Sequence, residues 1–267
     1  MMTENKLRYM LDHGMSTVAT RLQSSWPTVT ETVGITGEYD YVEFLAEYAP
    51  YGQYDFENIA RAAEVHGMGT MIKVDYQNRY YVAQKAVASG FQAVLFTDHR
   101  TAEDVEKTIH MITPECPEFE GGMGFVNRRW VGNTCSMRQE DYARMASSTV
   151  KAFMIEKKEA VDNIDEICSV PGLDMVQFGP NDFALSSGFN MADDMERVRE
   201  AERKVFEAAK KHGVHARAEM NSAADMEYYL GLGIRHFNMG MELRILRNYL
   251  KQQGEEMNQI LRKAGLK

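Results

Sequence analysis

The sequence has little cysteine, no surplus of positive charge and no long apolar run, and each shortage removes a class of protein. Three cysteines, Cys116, Cys135 and Cys168, stand apart from one another in 267 residues. No pair has the spacing of a metal knuckle or a redox motif, so a disulfide scaffold is excluded and a reducing compartment is expected. Lys and Arg number 30 against 39 Asp and Glu, a net charge of −9. An acidic surface repels phosphate backbones and anionic membranes, so neither nucleic acid nor a membrane is an expected partner. No stretch of about 18 apolar residues could span a bilayer. The opening MMTENKLRYMLDHG has no apolar core of a secretory signal, which makes the cytoplasm the expected location. Also missing are a Gly-rich phosphate loop, a Ser–His or Cys–His arrangement, a Pro/Gly/Ser linker, a short-period repeat and any low-complexity tract.

What is present is a regular alternation. Hydrophobic residues make up 44% and charged residues 26%, ordinary for a soluble globular domain. Strand-like runs occur at Ser16–Leu22, Tyr41–Leu45, Thr70–Val74, Ala93–Phe96, Val150–Ile155, Leu173–Phe178, Val214–Glu219 and Ile234–Asn238. Helical periodicity falls between them, at Asp55–His66, Tyr80–Ser89, Thr101–Met111, Glu159–Ser169, Ala192–His212, Ser222–Leu230 and Met241–Ala264. Thr101 reads as an N-cap, and Gly67, Gly90 and Gly213 as helix stops. The alternation points to an α/β fold, a (β/α)8 TIM barrel in one domain spanning 1–267. One stretch breaks the rhythm: Ile112 to about Tyr142 is rich in Gly, Pro and aromatics. A loop of that length serves function or an oligomer contact.

In such a barrel the active site lies at the C-terminal strand ends. The polar residues there are Arg21, Glu47, Tyr48, Lys73, Asp75, Asp98, His99, Glu156, Asp182, Glu219, Asn221 and Asn238. Glu156 and Asp182 follow neighbouring strands, which lie about 5 Å apart, so both can meet one cation. Two carboxylates without His or Cys favour a hard ion, Mg²⁺ or Mn²⁺. The backbone N–H groups around Pro180–Phe183 open a helix and suit an anionic carboxylate or phosphate, with Gly179, Pro180 and Asn181 as substrate-binding candidates. Two plainer readings stand beside this: Asp182 as a simple N-cap, and Glu156 as a solvated member of the run Glu-Lys-Lys-Glu. Arg21 reads as a distal carboxylate binder or a surface ion pair. Arg128 and Arg129 in the long loop read as reaching a neighbouring subunit's pocket or solvent. Tyr76, Tyr80 and Tyr81 read as lining the mouth or an interface.

The stretch FMIEKKEAVDNIDEICSVPGLDMVQFGPNDFALSSGF, with Ile155-Glu156 and then Gly179-Pro180-Asn181-Asp182-Phe183-Ala184, resembles the HpcH/HpaI aldolase family. These are class II pyruvate aldolases of the phosphoenolpyruvate/pyruvate barrel superfamily. The resemblance implies that Glu156 and Asp182 hold the divalent cation. It also implies that a 2-oxo acid binds that cation through its carboxylate and keto oxygens, and that the Gly-Pro-x-Asp turn grips the carboxylate. The C-terminal helix, with Leu243, Ile245, Leu246, Leu250, Ile260 and Leu261, would be exchanged between subunits of a trimer or hexamer or would cover the chain's own barrel.

The chain also departs from the family. Where the family has Asp-Gly-Glu-His-Ala-Pro, this sequence has Leu45-Ala46-Glu47-Tyr48-Ala49-Pro50, so the His–Asp dyad is replaced by Tyr48 and Leu45. Lys73 stands for the usual Arg and lacks its bidentate fork. A free Tyr titrates near pH 10, and Lys73 or the nearby metal is expected to lower that value for Tyr48. Glu47 is expected to orient a water. The implied activity is a divalent-metal-dependent carbon–carbon lyase, aldolase or decarboxylase in type, with Tyr48, Lys73 and Glu47 as catalytic candidates. The alternative is a 2-oxo acid binding protein that keeps the metal site without that chemistry.

Overall fold

The computed structural model describes residues 4–131, 133 and 137–267; Cys135 and Gly132 lie outside them. The chain runs α1 (Lys6–Asp12), β1 (Thr17–Leu22), α2 (Pro27–Ile35), β2 (Tyr41–Leu45), α3 (Gln53–Val65), β3 (Gly69–Val74), α4 (Arg79–Ser89), β4 (Ala93–Phe96) and α5 (Ala102–Ile112). It continues through α6 (Gln139–Ser147), β5 (Val150–Ile155), α7 (Lys158–Asp162), α8 (Ile164–Cys168), β6 (Met175–Phe178), α9 (Pro180–Ser187) and α10 (Met195–His212). It ends with β7 (His215–Met220), α11 (Met226–Gly231), β8 (His236–Met241) and α12 (Glu242–Lys263). The eight strands pair in parallel, each with its neighbours in sequence, and β8 closes on β1. This is the expected α/β TIM barrel. Among the described residues no helix is long and apolar enough to cross a membrane.

Every position of β2 to β6 is buried, because both faces of a barrel strand are covered. Residues of one parity face the surrounding helices. Those of the other parity fill the barrel in layers. The lower layer is apolar, with Ala19, Tyr41, Met71, Ala93, Ala152 and Met175 in one buried cluster with Leu7 and Leu11. Those two leucines come from α1, which therefore plugs the bottom of the barrel, and each contributes about 1.5–3 kcal/mol by burial. Asn5 fixes the plug, its amide donating to Gln92 O at 2.8 Å and Ser148 O at 2.9 Å. With the bottom closed, the open end is the one where the strands terminate.

Several sequence expectations change. A helix, α2, occupies part of the polar stretch after β1, started by Pro27 in its first turn, where the missing N–H costs nothing. The single helix expected over Glu159–Ser169 is broken at Asn163. β8 ends three residues further up than expected, so Asn238 sits inside the strand, fully buried, and not at its end. Within the chain Arg128 Nε meets Glu57 at 2.7 Å, and Arg129 pairs with Glu64. They pin the long loop to α3. Tyr76 stacks under Arg79 with 4.0 Å from guanidinium to ring centroid, and the Tyr80 hydroxyl reaches Gly122 O at 3.4 Å. The reading in which α12 covers its own barrel also fails, since Leu243, Ile245, Leu246, Leu250, Ile260 and Leu261 all remain exposed.

Candidate active site

The inward parity of the strands carries the chemistry. Two residues above the apolar layer come Arg21 on β1, Glu43 on β2, Lys73 on β3, Gln177 on β6 and Glu219 on β7. Each lies two positions after Ala19, Tyr41, Met71, Met175 and Arg217. One cavity of about 230 Å³ opens over them. Arg21, Tyr48, Lys73, Glu156, Gly179, Pro180, Asn181 and Asp182 all line it, and so do Glu43, Gln177, Glu219 and Arg244. That volume is below the range typical of drug-sized ligands and suits a small acid. Glu47 stands behind Lys73.

Glu156 is the first residue past β5 and is 2% exposed. It does not belong to a solvated surface run. Register brings it to the α9 turn, because Ile155 pairs with Phe178. Gly179 has no side chain, and the approach needs that: a Cβ there would lie 2.6 Å from Glu156 Cβ and 3.0 Å from its Oε2. From the other side Asp98 donates its backbone N–H to Glu156 Oε1 at 3.0 Å. Asp98 does so from a left-handed φ of 62°, a conformation that Asp tolerates better than most residues. Burial pushes the Glu156 carboxyl up to about 7; Lys73 opposes the rise and the charges of Asp182 and Asp98 add to it.

Asp182 is not an N-cap. Gly179 holds that position, and Asp182 lies in the first turn of α9. Its Oδ1 is 3.5 Å from Lys157 Nζ, which also meets Asp98 at 2.6 Å. In the first turn Phe183 N–H already bonds Gly179 O, and Pro180 has no N–H. Asn181 and Asp182 N–H are left at the helix start for an anion.

Across the cavity Lys73 Nζ donates to Tyr48 Oη at 2.9 Å and meets Glu47 at 2.6 Å. β2–β3 register explains the group, since Leu45 pairs with Lys73 and Glu47 and Tyr48 follow directly. Burial alone would lower the Lys73 pKa, but Glu156, Glu47 and Tyr48 together raise it above its ordinary value. It is a fixed cation and not an amine nucleophile. Tyr48 is 55% exposed, yet desolvation of its phenol pushes it up to about 12, helped by Glu47 and only partly offset by Lys73. Lys73 lowers the value, as expected, but burial outweighs it. At either this value or its ordinary one, Tyr48 is protonated at neutral pH. Because Lys73 fills an acceptor position on Oη, the phenol proton is free to point elsewhere.

His99 takes no part. It is fully buried, bonded to Thr97 O at 2.8 Å and Thr108 Oγ1 at 2.7 Å, and burial pushes it down to about 4. Asp75 serves a turn, accepting from Asn78 at 2.9 Å. Arg21 is not a surface ion pair: it is 9% exposed and bonded to Glu219 at the cavity wall.

The strand-end survey missed a buried network beneath the cavity. Arg217 and Glu43 form an ion pair inside the barrel, with side chains 0% and 1% exposed. Gln177 Oε1 accepts from Arg217 at 2.7 Å, and Asn238 donates to Glu43 at 2.8 Å. Gln177 Nε2 in turn donates to Glu219 Oε2 at 3.0 Å, which joins the network to Arg21. The available signal was a polar residue within each short apolar run: Glu43 in YVEFL, Gln177 in MVQF and Arg217 in HARAEM.

Glu156 and Asp182, two hard oxygen donors lining one cavity, would fit a divalent cation. Among the described residues no group of three or more His, Cys, Asp or Glu is placed to hold a metal, so substrate and water would complete any coordination.

The family model described as HpcH/HpaI aldolase/citrate lyase matches residues 22–248. A 5-keto-4-deoxy-D-glucarate aldolase from Klebsiella pneumoniae is 26% identical over 222 residues, covering 83% of this chain and 84% of that protein. The crystal structure of an HpcH/HpaI aldolase/citrate lyase family protein from Burkholderia cenocepacia superposes with a TM-score of 0.84 at 22% identity, over 95% of this chain and 99% of that one. The citrate lyase beta subunit from M. tuberculosis, complexed with oxaloacetate and magnesium, gives a TM-score of 0.58 at 11% identity, over 86% and 93% of the two chains.

Proposed function

The chain belongs to the HpcH/HpaI aldolase/citrate lyase family, and from that premise we propose that it is a divalent-metal-dependent carbon–carbon lyase acting on a 2-oxo acid. One observation carries the reading: the buried Glu156 and its neighbour Asp182 face the protonated pair Tyr48–Lys73 across one small cavity. The fold relative bound to oxaloacetate and magnesium supports the ion type and the class of acid. Mg²⁺ or Mn²⁺ held by Glu156 and Asp182 would supply Lewis-acid stabilisation for the negative charge that develops on a keto oxygen when a carbon–carbon bond breaks.

The chain's own residues do the rest. Asn181 and Asp182 N–H, at the start of α9, hold the carboxylate of the acid. Lys73 adds a fixed positive charge that offsets the charge developing in the cavity. Tyr48 is a proton donor at Oη, suited to protonating an enolate carbon. Glu47 holds Lys73 in place. Tyr48 is a poor base at neutral pH, so proton return to carbon is the step this site performs most readily. Decarboxylation of a 2-oxo acid needs no hydroxyl deprotonation and fits that bias. The exposed apolar face of α12 supports a homo-oligomer, a trimer or hexamer, in which a second copy covers that helix.

The test is exchange of the pyruvate methyl protons in D₂O, followed by NMR with Mg²⁺, with metal removed, and in Glu156→Gln and Tyr48→Phe. The expected result is metal-dependent exchange that Glu156→Gln abolishes and Tyr48→Phe slows by about 10²-fold or more, the usual share of one acid–base group. Pyruvate binding with no exchange in any sample would leave a 2-oxo acid binder and refute the lyase.

A further inference from the structure

Glu156 and Asp182 share one support, the turn after β4. Asp98, in that turn, takes a left-handed φ of 62°. Few residues other than Gly, Asn and Asp hold such a conformation without strain. From it Asp98 makes two contacts. Its backbone N–H donates to Glu156 Oε1 at 3.0 Å, and its Oδ1 meets Lys157 Nζ at 2.6 Å. The turn itself is anchored on both flanks. The buried His99 ring bonds Thr97 O and Thr108 Oγ1, and Arg100 O accepts from Asn163 Nδ2 at 3.1 Å.

Lys157 is fixed at its backbone and has a choice at its tip. It follows Glu156 directly and is the N-cap residue of α7. The next residue, Lys158, donates its N–H to Ser186 Oγ at 3.0 Å, which ties this turn to α9. Two acids then lie in reach of the ammonium, Asp98 at 2.6 Å and Asp182 at 3.5 Å. The Lys157 side chain is 17% exposed, less than Asp98 at 32% or Asp182 at 41%. A largely desolvated ammonium is costly unless a carboxylate pairs with it. Asp98 therefore decides where Lys157 sits. With the charge of Asp98 removed, the partner left in reach on this side is Asp182. A close pair there would occupy an oxygen that a cation needs, and the ammonium would repel a divalent ion.

We propose that Asp98 is a positioning residue of the cation site: its carboxylate holds Lys157 off Asp182, while its N–H steadies Glu156. This rests on the reading of Glu156 and Asp182 as the holders of a divalent cation. Lys157 is the resident positive charge beside that site, kept at Asp98 so that Asp182 stays open.

The test is Mn²⁺ affinity at about pH 8, above the Glu156 value of about 7. Electron paramagnetic resonance reads it in wild type, Asp98→Asn, Lys157→Met and the double variant. Asn accepts a positive φ and keeps the N–H, so Asp98→Asn removes the charge alone. A loss of about 10–100-fold is expected in Asp98→Asn, the scale of losing support for a metal ligand. In the Lys157→Met background the same substitution is expected to change affinity by no more than about twofold, the limit for sites that do not couple. A purely structural role for Asp98, or its direct attraction of the cation, would give equal losses in both backgrounds and overturn the proposal. An Asp98→Asn protein that binds Mn²⁺ as tightly as wild type would overturn it too. Should Asp98→Asn fail to fold, Asp98→Gly, which also accepts a positive φ, takes its place in the cycle. A wild-type protein that takes up no Mn²⁺ removes the metal reading of Glu156 and Asp182, and this inference with it.

Discussion

Replacing Glu43 by Gln gives the sharpest test of how this barrel is held together. The carboxylate of Glu43 is the charge partner of Arg217, and neither side chain has meaningful contact with water. Glu43→Gln keeps the shape and leaves the Arg217 cation uncompensated in the barrel interior. Gln177 Oε1 would still accept from Nη1, but a neutral amide does not balance the charge. Removing one partner of a buried pair costs about 3–5 kcal/mol, a large part of the 5–15 kcal/mol typical of a folded domain. Each kcal/mol moves the melting temperature of a chain of this size by about 2–4 °C. A fall of roughly 6–20 °C is expected. The paired replacement Glu43→Leu with Arg217→Met removes both desolvation penalties, and is expected to be neutral or stabilising by up to about 4 kcal/mol. Differential scanning calorimetry of wild type, Glu43→Gln, Arg217→Met and the paired variant measures all of this. A Glu43→Gln protein melting within about 2 °C of wild type, or a paired variant that loses the sum of its singles, would refute the argument.

Two further outcomes follow from the site. Gly179→Ala should push the Glu156 carboxylate off the α9 turn, since the new Cβ would lie 2.6 Å from Glu156 Cβ. Mn²⁺ affinity, read by electron paramagnetic resonance, should drop about 10–100-fold, the scale of losing support for a ligand; an unchanged affinity would mean that the turn and Glu156 do not share a cation. Glu156 also sets a pH dependence. Its folded value of about 7 lies above the ordinary 4.5, so the folded state holds the proton more tightly than the unfolded chain. Its contribution to stability is therefore present at low pH and is lost as pH rises from about 4.5 to about 7, by roughly 3 kcal/mol at most. The melting temperature of the metal-free protein, taken relative to Glu156→Gln, should fall across that window and level off above it. Added Mg²⁺ should stabilise more above pH 7 than below it. A difference that stays flat from pH 4.5 to 8 would remove the buried, proton-holding Glu156 from the account.

Much of the architecture was legible in the chain because helix and strand periods are local. A run such as AVLF at Ala93–Phe96, followed by a Thr-capped helix, needs no knowledge of the rest of the molecule, and eight such units leave few topologies besides the barrel. The acids after the fifth and sixth strands could be named for the same reason, since strand ends can be found by eye and the GPND turn has its own signature. What the residues alone left open was the role of each acid. Gly179 as N-cap excludes the capping role for Asp182, and the depth of Glu156 excludes the surface role; both depend on how β5 and β6 align.

Pairing across the barrel was beyond the sequence altogether. Glu43 and Arg217 are 174 residues apart, and Arg21 and Glu219, from opposite flanks of the chain, are 198 residues apart. No period within either segment shows that these side chains share an interior. The sequence by itself determined the elements, their order and the positions of acids and bases at strand ends, because hydrophobic pattern and turn chemistry act over a few residues. Only ring closure and its register decided which charges meet, because burial and Coulomb interactions depend on distance in space and not along the chain.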